Sequence, residues 1–164
     1  MATTHRVWTY GDNINTDLIF AGKYTYTISH DPAELARYAL EDLDPQFAQA
    51  VQPGDVIVAG RNWGNGSSRE QAVTCLVAAG VKAVIAASFA RIYYRNAINS
   101  GLLVIQCPQV LPLVETGDSI ALDMEQGVVT AAGQTFTFPR LPESVAGIVE
   151  AGGLIAYLKQ SYRG

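Results

Sequence analysis

The segment Gly64-Asn65-Gly66-Ser67-Ser68-Arg69-Glu70 places two glycines, two hydroxyl groups and a guanidinium side by side. It follows a strand-like run and precedes a helical run, so its backbone N–H groups are expected where an anion can bind. These donors, the helix dipole and Arg69 would stabilise the alkoxide form of Ser67, which is otherwise too basic to exist at neutral pH. Arg69 could also hold a carboxylate bidentately and present its neighbouring C–H to the serine. The pattern suits proton abstraction next to a carboxylate.

Helix capping is the structural alternative for both serines. Ser67 with Glu70, and Ser68 with Gln71, each fit the S-x-x-E/Q capping box. Capping does not require two glycines and an arginine beside the serines. We therefore favour a functional loop.

Three familiar functional loops do not fit this segment. Gly66 is followed by serine and not by the lysine of a P-loop, and Arg69 stands where a dinucleotide fingerprint has its third glycine. A Gly-x-Ser-x-Gly nucleophile elbow is absent. Because Arg69 replaces the third glycine of the dinucleotide fingerprint, a Rossmann oxidoreductase is also disfavoured.

Composition indicates a compact globular chain. Of its 164 residues 49% are hydrophobic and 16% charged, and the net charge is −4. No basic run marks a nucleic-acid or anionic-membrane surface, and no apolar stretch approaches the roughly 20 residues that span a bilayer. We expect a single cytoplasmic domain over residues 1–164, without nucleic-acid or membrane partners.

The cysteines and histidines do not form a metal-site pattern. Cys75 lies in an apolar helical run and is expected to be buried, whereas Cys107 precedes Pro108 after a strand and is expected near the surface. With His5 and His30 as the only imidazoles, the chain lacks the ligands of an iron–sulfur cluster or a structural zinc site. Any metal in the chemistry must then come from another chain.

Strands and helices are predicted to alternate through the middle of the chain. The predicted order is strand 55–59, helix 69–79, strand 83–87, helix 88–100 and strand 102–105. Gly80 and Gly101 stand where glycine commonly ends a helix, and Ser88 is expected to cap the second helix. Such alternation predicts parallel β-α-β units.

The two ends of the chain add other elements. Residues 6–10 alternate like a strand, residues 14–28 are expected to form a long ordered loop, and Asp31 begins a helix. Short strands are predicted at 118–123, 128–131 and 135–138, followed by a terminal helix broken at Gly152-Gly153. The fold class is therefore α/β, with parallel units and a small antiparallel or barrel-like β element.

Three motifs, in the same order, resemble the β/β/α swivelling domain of the aconitase superfamily. They are Gly-Ser-Ser-Arg-Glu at 66–70, Asn15-Thr16-Asp17, and Ser88-Phe89-Ala90-Arg91-Ile92 with Arg95-Asn96. The likeness runs from about Val7 to Leu158. The length and the lack of cluster cysteines are similar to the superfamily's free-standing small subunits, those of the 3-isopropylmalate dehydratases and homoaconitases.

The resemblance implies a hydro-lyase built from two kinds of chain, as a heterodimer or heterotetramer. A large subunit would hold a [4Fe–4S] cluster with one iron acting as a Lewis acid, and this chain would hold no cofactor. If the roles of the matching family residues apply here, Ser67 is the base, and Ser68 and Arg69 hold a substrate carboxylate. Thr16 and Asp17 would line the same site. The implied reaction isomerises a small 2-hydroxy diacid through an unsaturated diacid, as 2- and 3-isopropylmalate interconvert in leucine biosynthesis.

Residues 22–27 match the family segment that helps to choose the substrate, with Tyr24, Thr25 and Tyr26 as candidate contacts. Homocitrate-type relatives resemble a Tyr-Leu-Arg-Thr pattern there, whereas this chain has Tyr26 near that position and no arginine from the segment onward until Arg37. An aromatic ring cannot neutralise the extra carboxylate, which argues against homoaconitase. Tyrosine is larger than the aliphatic residue expected opposite an isopropyl group, so citramalate or 2,3-dimethylmalate stays an alternative substrate. Alternatively, both tyrosines simply pack the loop.

Two further interpretations stay open. In the family, residues 88–99 form a recognition motif, but we expect Arg91 and Arg95 mainly to fix loops around the site without contacting substrate. The whole chain could also be a non-catalytic module that binds a carboxylate or a protein partner. The intact Ser67-Ser68-Arg69 set argues against a module, because pure binding does not need a serine base.

Overall fold

A computed structural model describes residues 1–26 and 31–163 of the chain. The described strands form one seven-stranded sheet. In chain order they are β1 (Thr3–Thr9), β2 (Val56–Ala59), β3 (Ala83–Ala86), β4 (Leu103–Gln106), β5 (Ser119–Asp123), β6 (Val128–Ala131) and β7 (Gln134–Thr137). Their order across the sheet is β4-β3-β2-β1-β5-β6-β7.

Seven α-helices are seen in the described part of the chain, together with 3-10 turns at Gly22–Tyr24 and Leu111–Leu113. The helices are α1 (Thr16–Ile19), α2 (Pro32–Arg37), α3 (Phe47–Ala50), α4 (Gln71–Ala78), α5 (Arg91–Asn99), α6 (Glu143–Glu150) and α7 (Leu154–Arg163). No helix within these residues is long and apolar enough to cross a bilayer.

Strand β1 joins a parallel half of the sheet to an antiparallel half. It pairs in parallel with β2, where Val7 lies opposite Val56, and antiparallel with β5, where His5 lies opposite Ile120. Strands β2, β3 and β4 are parallel, and β5, β6 and β7 are antiparallel. Both the predicted β-α-β units and the antiparallel element are confirmed. That the two share one sheet was not evident from the sequence.

The parallel strands are buried on both faces. In β2, Ile57 and Ala59 pack into one hydrophobic cluster, whereas Val56 and Val58 pack into another. All four side chains are no more than 2% exposed. Burial on both faces explains why the strands read as continuous apolar runs and not as alternating ones.

Three local predictions were wrong or incomplete. The supposed loop 14–28 contains α1, which Asn15 caps by accepting a hydrogen bond from Leu18 N, and residues 27–28 lie outside the described part. Ser88 does not cap α5, because its hydroxyl accepts from Asn62 N at 2.8 Å and the helix begins at Arg91. Cys107 is only 2% exposed, since the chain after β4 packs back onto the second cluster. The buried position of Cys75 is confirmed.

Asp55 anchors the chain entry to β2 from a buried position. One of its oxygens accepts hydrogen bonds from the Arg6 guanidinium, the Trp8 indole N–H and Gln52 N. Burial opposes ionisation, but these hydrogen bonds outweigh it and hold the pKa of Asp55 below its ordinary value. The carboxylate therefore connects β1 to the start of β2.

We expect Asp55→Asn to lower the free energy of unfolding by about 2–4 kcal/mol at pH 7, because a neutral amide weakens all of these contacts. A lowered folded-state pKa stabilises the fold above the unfolded-state pKa of about 4, and this contribution is lost as pH falls through the folded value. Urea denaturation should therefore show a gap between wild type and variant that closes in acid. The exposed Asp42→Asn is the control, expected to change stability by less than about 0.5 kcal/mol. A pH-independent gap would contradict the prediction.

Candidate active site

Three loops meet at the carboxyl-terminal edge of the parallel strands. The loop after β1 is joined to the loop after β2, since Gly64 N donates to Ile14 O and Thr16 N donates to Asn65 O, both at 2.8 Å. The loop after β3 joins them through a parallel bridge between Trp63 and Phe89. Ligand sites of parallel α/β sheets commonly lie at this edge. The backbone thus holds the predicted motifs together.

Gly64 is required where the loop after β2 crosses α5. Its φ of +84° lies in the left-handed region, and a Cβ there would come within 2.2 Å of the Tyr93 ring. Tyr93 is buried, and its hydroxyl donates to Ala72 O at 2.9 Å. The first glycine of the motif therefore lets the loop lie directly on an aromatic side chain that ties α5 to α4.

Neither serine of the motif caps α4. The helix begins at Gln71, two residues later than predicted, and its N-cap residue Glu70 makes no side-chain cap. Instead, Ser67 Oγ and Thr16 Oγ1 share a hydrogen bond of 3.2 Å. Ser67 is exposed, whereas Thr16 is 3% exposed. The capping alternative is wrong, and Ser67 presents its hydroxyl at the surface against a fixed neighbour.

The Arg69 guanidinium lies between the two loops that carry the site. It makes a short ion pair with Asp17 Oδ1, and Nη1 donates to Thr25 Oγ1 at 3.3 Å. Its Nε is buried and has no acceptor among the described residues. An unsatisfied buried donor costs about 1–3 kcal/mol, so this arginine retains capacity for another acceptor. Asp17 itself is largely exposed.

Two residues that the sequence analysis did not predict as site residues hold the site's loops in place. Asn96 of α5 donates through Nδ2 to Ser68 O at 3.5 Å, and Gln71 donates through Nε2 to Thr25 O at 3.4 Å. Asn96 belonged to a motif that indicated the family, and this was the available signal for it. Gln71 carried no such signal, because its spacing from Ser68 was accounted for by the capping box.

The two tyrosines of the predicted specificity segment have different environments. Tyr24 stacks on Tyr38 with ring centroids 4.2 Å apart and donates to Glu41, so it packs the loop as the structural alternative proposed. The Glu41 carboxylate and burial raise the pKa of Tyr24 to about 12. Tyr26 is 95% exposed and packs against none of the described residues. Thr27 lies outside the described residues. Within the described residues of this segment, Thr25 accepts a hydrogen bond from Arg69.

Arg91 and Arg95 do not fix loops among the residues that the structure describes. Both are exposed on α5, and neither makes a hydrogen bond or an ion pair with another described residue. Tyr93 is buried, whereas Tyr94 is 37% exposed and contacts Phe89 edge to face. The prediction that these arginines fix loops around the site is therefore wrong for the isolated chain.

Other parts of the described chain do not offer a metal centre. The residues described contain no group of three or more His, Cys, Asp or Glu side chains that could hold a metal ion. Cys75 and Cys107 are buried in different clusters, and burial raises the pKa of each thiol. A cleft of about 1260 Å³ lies at the opposite edge of the parallel strands, between α6 and residues such as Lys82 and Arg140. It is far along the strands from Ser67.

The fold and this loop define the chain as a member of the aconitase C-terminal domain family, whose model matches residues 11–110. Among curated relatives, the 3-isopropylmalate dehydratase small subunit of Heliobacterium modesticaldum is 47% identical over 97% of this chain and 96% of its own. The 2,3-dimethylmalate dehydratase small subunit of Eubacterium barkeri is 46% identical over 93% of each chain. A crystal structure of 3-isopropylmalate dehydratase (leuD) from Methanocaldococcus jannaschii covers all of both chains with a TM-score of 0.89 and 41% identity.

Proposed function

We propose that this chain is the small subunit of a cytoplasmic hydro-lyase that interconverts 2-isopropylmalate and 3-isopropylmalate by dehydration and rehydration. It acts as a single swivelling domain that completes its active site with a large subunit. The observation that carries the proposal is the meeting of Ser67, Thr16, Arg69, Asp17 and Thr25 at one edge of the sheet. The names of close relatives support the same reaction.

In this proposal Ser67 moves the proton. Its Oγ takes the proton from the carbon beside a substrate carboxylate during dehydration, and it returns a proton during rehydration. The Thr16 hydroxyl lies 3.2 Å from Ser67 Oγ and can donate to it when the serine is an alkoxide. Among the described residues, no atom accepts a bond from the backbone N–H of Ser67 or Ser68, so these donors are open to an anion.

Arg69 and Asp17 act together on the substrate carboxylate. Asp17 holds the guanidinium in place before substrate arrives, and its exposed position allows it to give way. A carboxylate bound beside it would satisfy the buried Nε of Arg69, which has no acceptor among the described residues. Ser68 and Thr25 supply further hydroxyl donors at the same place. The reacting C–H is thereby oriented towards Ser67.

The remaining chemistry is assigned to the partner. The described residues of this chain do not fit an iron–sulfur cluster, because its cysteines are both buried in the core and no ligand group is present among them. A [4Fe–4S] cluster held by the large subunit would supply Lewis-acid activation of the substrate hydroxyl. This chain would then contribute binding, orientation and the proton.

The experiment is anaerobic turnover by this chain mixed with its large subunit, on a panel of isopropylmalate, citramalate, 2,3-dimethylmalate and homocitrate. We expect turnover of isopropylmalate that requires both chains. No turnover of any acid, with the cluster shown intact, would refute the enzyme and favour a non-catalytic binding module. Turnover of homocitrate would contradict the argument from the absent arginine.

Two observations favour a second substrate, 2,3-dimethylmalate. Tyr26 stands fully exposed next to Thr25, which contacts Arg69, so its ring can narrow the space beside a bound acid. A relative that is 46% identical carries the name of the enzyme acting on that smaller acid. Tyr26→Ala distinguishes the two, because it should raise kcat/KM for isopropylmalate relative to dimethylmalate if the ring limits the pocket.

A further inference from the structure

An exposed patch covers the amino-terminal half of α5. It consists of Arg91, Ile92, Tyr94 and Arg95, and we call it the α5 face. Ile92 is 56% and Tyr94 is 37% exposed, although both are large apolar side chains. The two guanidinium groups have no hydrogen-bond or ion-pair partner in the described part of the chain.

The stability of α5 does not explain this arrangement. Arg91 is the first helical residue, where the helix dipole disfavours a cation. Arg91 and Arg95 lie four positions apart, where like charges repel along one helix face. Ile92 and Tyr94 add exposed apolar area, and the edge-to-face contact of Tyr94 with Phe89 still leaves 37% of that tyrosine exposed. The cation at the helix start, the like-charge pair and the exposed apolar area are each unfavourable in the isolated chain. An acidic and partly apolar surface that covers the helix would make all three favourable.

The α5 face adjoins the loop that carries Ser67 and Ser68. Asn96, on the next turn of the same helix, donates to Ser68 O, and Phe89 contacts the Tyr94 ring with centroids 5.9 Å apart. Phe89 also bridges to Trp63 in the loop after β2. A protein bound to the α5 face would therefore lie beside Ser67 and Ser68. The proposed function requires a second chain at this place.

The chemistry of the face indicates its occupant. Arginine and tyrosine are enriched at protein interfaces, where a polar rim commonly surrounds an apolar core. The whole chain carries a net charge of −4, so two unpaired arginines form a patch of opposite sign to the rest of the molecule. Such a patch is complementary to an acidic surface and steers its approach.

We propose that the α5 face docks on the large subunit, against an acidic surface that flanks an apolar contact for Ile92 and Tyr94. The inference rests on the proposed function, because it names the surface through which the half-site is completed. Arg91 and Arg95 contact the partner and not the substrate. They set the affinity between the chains, while Ser67 and Arg69 set the rate within the complex.

The test is titration of the large subunit against a fixed amount of this chain, read out both by calorimetry and by turnover. We expect Arg91→Glu/Arg95→Glu to raise the dissociation constant by about 100-fold or more, with kcat at saturating large subunit within about twofold of wild type. Added salt should weaken the wild-type complex more steeply than that of the neutral pair Arg91→Gln/Arg95→Gln. Lys82→Glu, a single charge reversal of the same kind at the opposite edge of the strands, is the control and should leave the dissociation constant unchanged.

The outcomes separate this inference from the proposed function. An unchanged dissociation constant in both arginine pairs overturns docking through the α5 face, even if turnover is normal. A fall in kcat at saturating partner with unchanged affinity also overturns it, since the arginines would then act on substrate. If wild type binds the large subunit tightly but turns over no acid, the proposed function fails and calorimetry still decides the docking. If the glutamate pair does not fold by circular dichroism, the glutamine pair gives the answer.

Discussion

Ser67→Ala is expected to lower kcat by about 10²- to 10⁴-fold in both directions of the reaction, because a methyl group can neither take nor return a proton. The effect on folding should be small. Ser67 is exposed and shares a single hydrogen bond with Thr16, so its loss should cost about 0.5–1.5 kcal/mol at most. The measurement is turnover in the reconstituted complex, together with the dissociation constant of the large subunit, which should not change.

Two serine variants serve as controls for this prediction. Ser68→Ala removes the neighbouring hydroxyl from the same loop and should raise KM more than it lowers kcat, because we assign Ser68 to carboxylate binding. Ser144→Ala, at an exposed position of α6, should change neither KM nor kcat. Residual activity of Ser67→Ala within about tenfold of wild type would exclude Ser67 as the base.

Arg69→Lys is expected to lower kcat/KM by about 100-fold or more, although the charge is retained. An ammonium group is a point charge and cannot form two parallel hydrogen bonds with a carboxylate while also reaching Asp17 and Thr25. Loss of one or two charge-assisted hydrogen bonds, at about 1.5–3 kcal/mol each, corresponds to this range. The loss should appear mainly in KM, since substrate binding is the role assigned to Arg69.

Arg61→Lys is the matched control, because Arg61 lies in the same loop but its side chain is 78% exposed. It should leave kcat/KM within about twofold of wild type. Thermal unfolding of Arg69→Lys separates the two roles of the arginine. A lowered Tm with unchanged KM would show that Arg69 only ties the two loops together through Asp17.

The sequence identified those parts of the fold that depend on neighbouring residues. Apolar runs predicted the parallel strands, and Gly80 and Gly101 predicted where the helices between them end. Asp31 accepts a hydrogen bond from Ala33 N, as a predicted N-cap residue should. Errors arose where a distant residue competes for a local group. Ser88 would cap α5, but Asn62, 26 positions away, takes its hydroxyl. Cys107 was expected near the surface because Pro108 interrupts the strand, yet the following residues fold back over it.

In the candidate site too, features set by neighbouring residues were predictable and features set by distant residues were not. The residue types at 66–70 indicated a base and a carboxylate ligand, and the structure brings Ser67 and Arg69 together with Thr16, Asp17 and Thr25. Their catalytic roles stay predictions. The ion pair between Arg69 and Asp17 spans 52 positions and could not be derived from spacing. Likewise, no local pattern reveals that Tyr24 packs on Tyr38 while Tyr26 faces solvent.

The central place of β1 in the sheet governs the order in which the chain can fold. β1 is synthesised before the other described strands. Its residue Thr9 hydrogen-bonds Thr116, which lies 107 positions later in the turn before β5. At a translation rate of about 5–20 residues per second, one edge of this strand waits about 5–20 s for its antiparallel neighbour. Such non-local pairing slows folding and exposes a strand edge meanwhile. Loss of the first ten residues would consequently divide the sheet into two unconnected halves, and not merely shorten it.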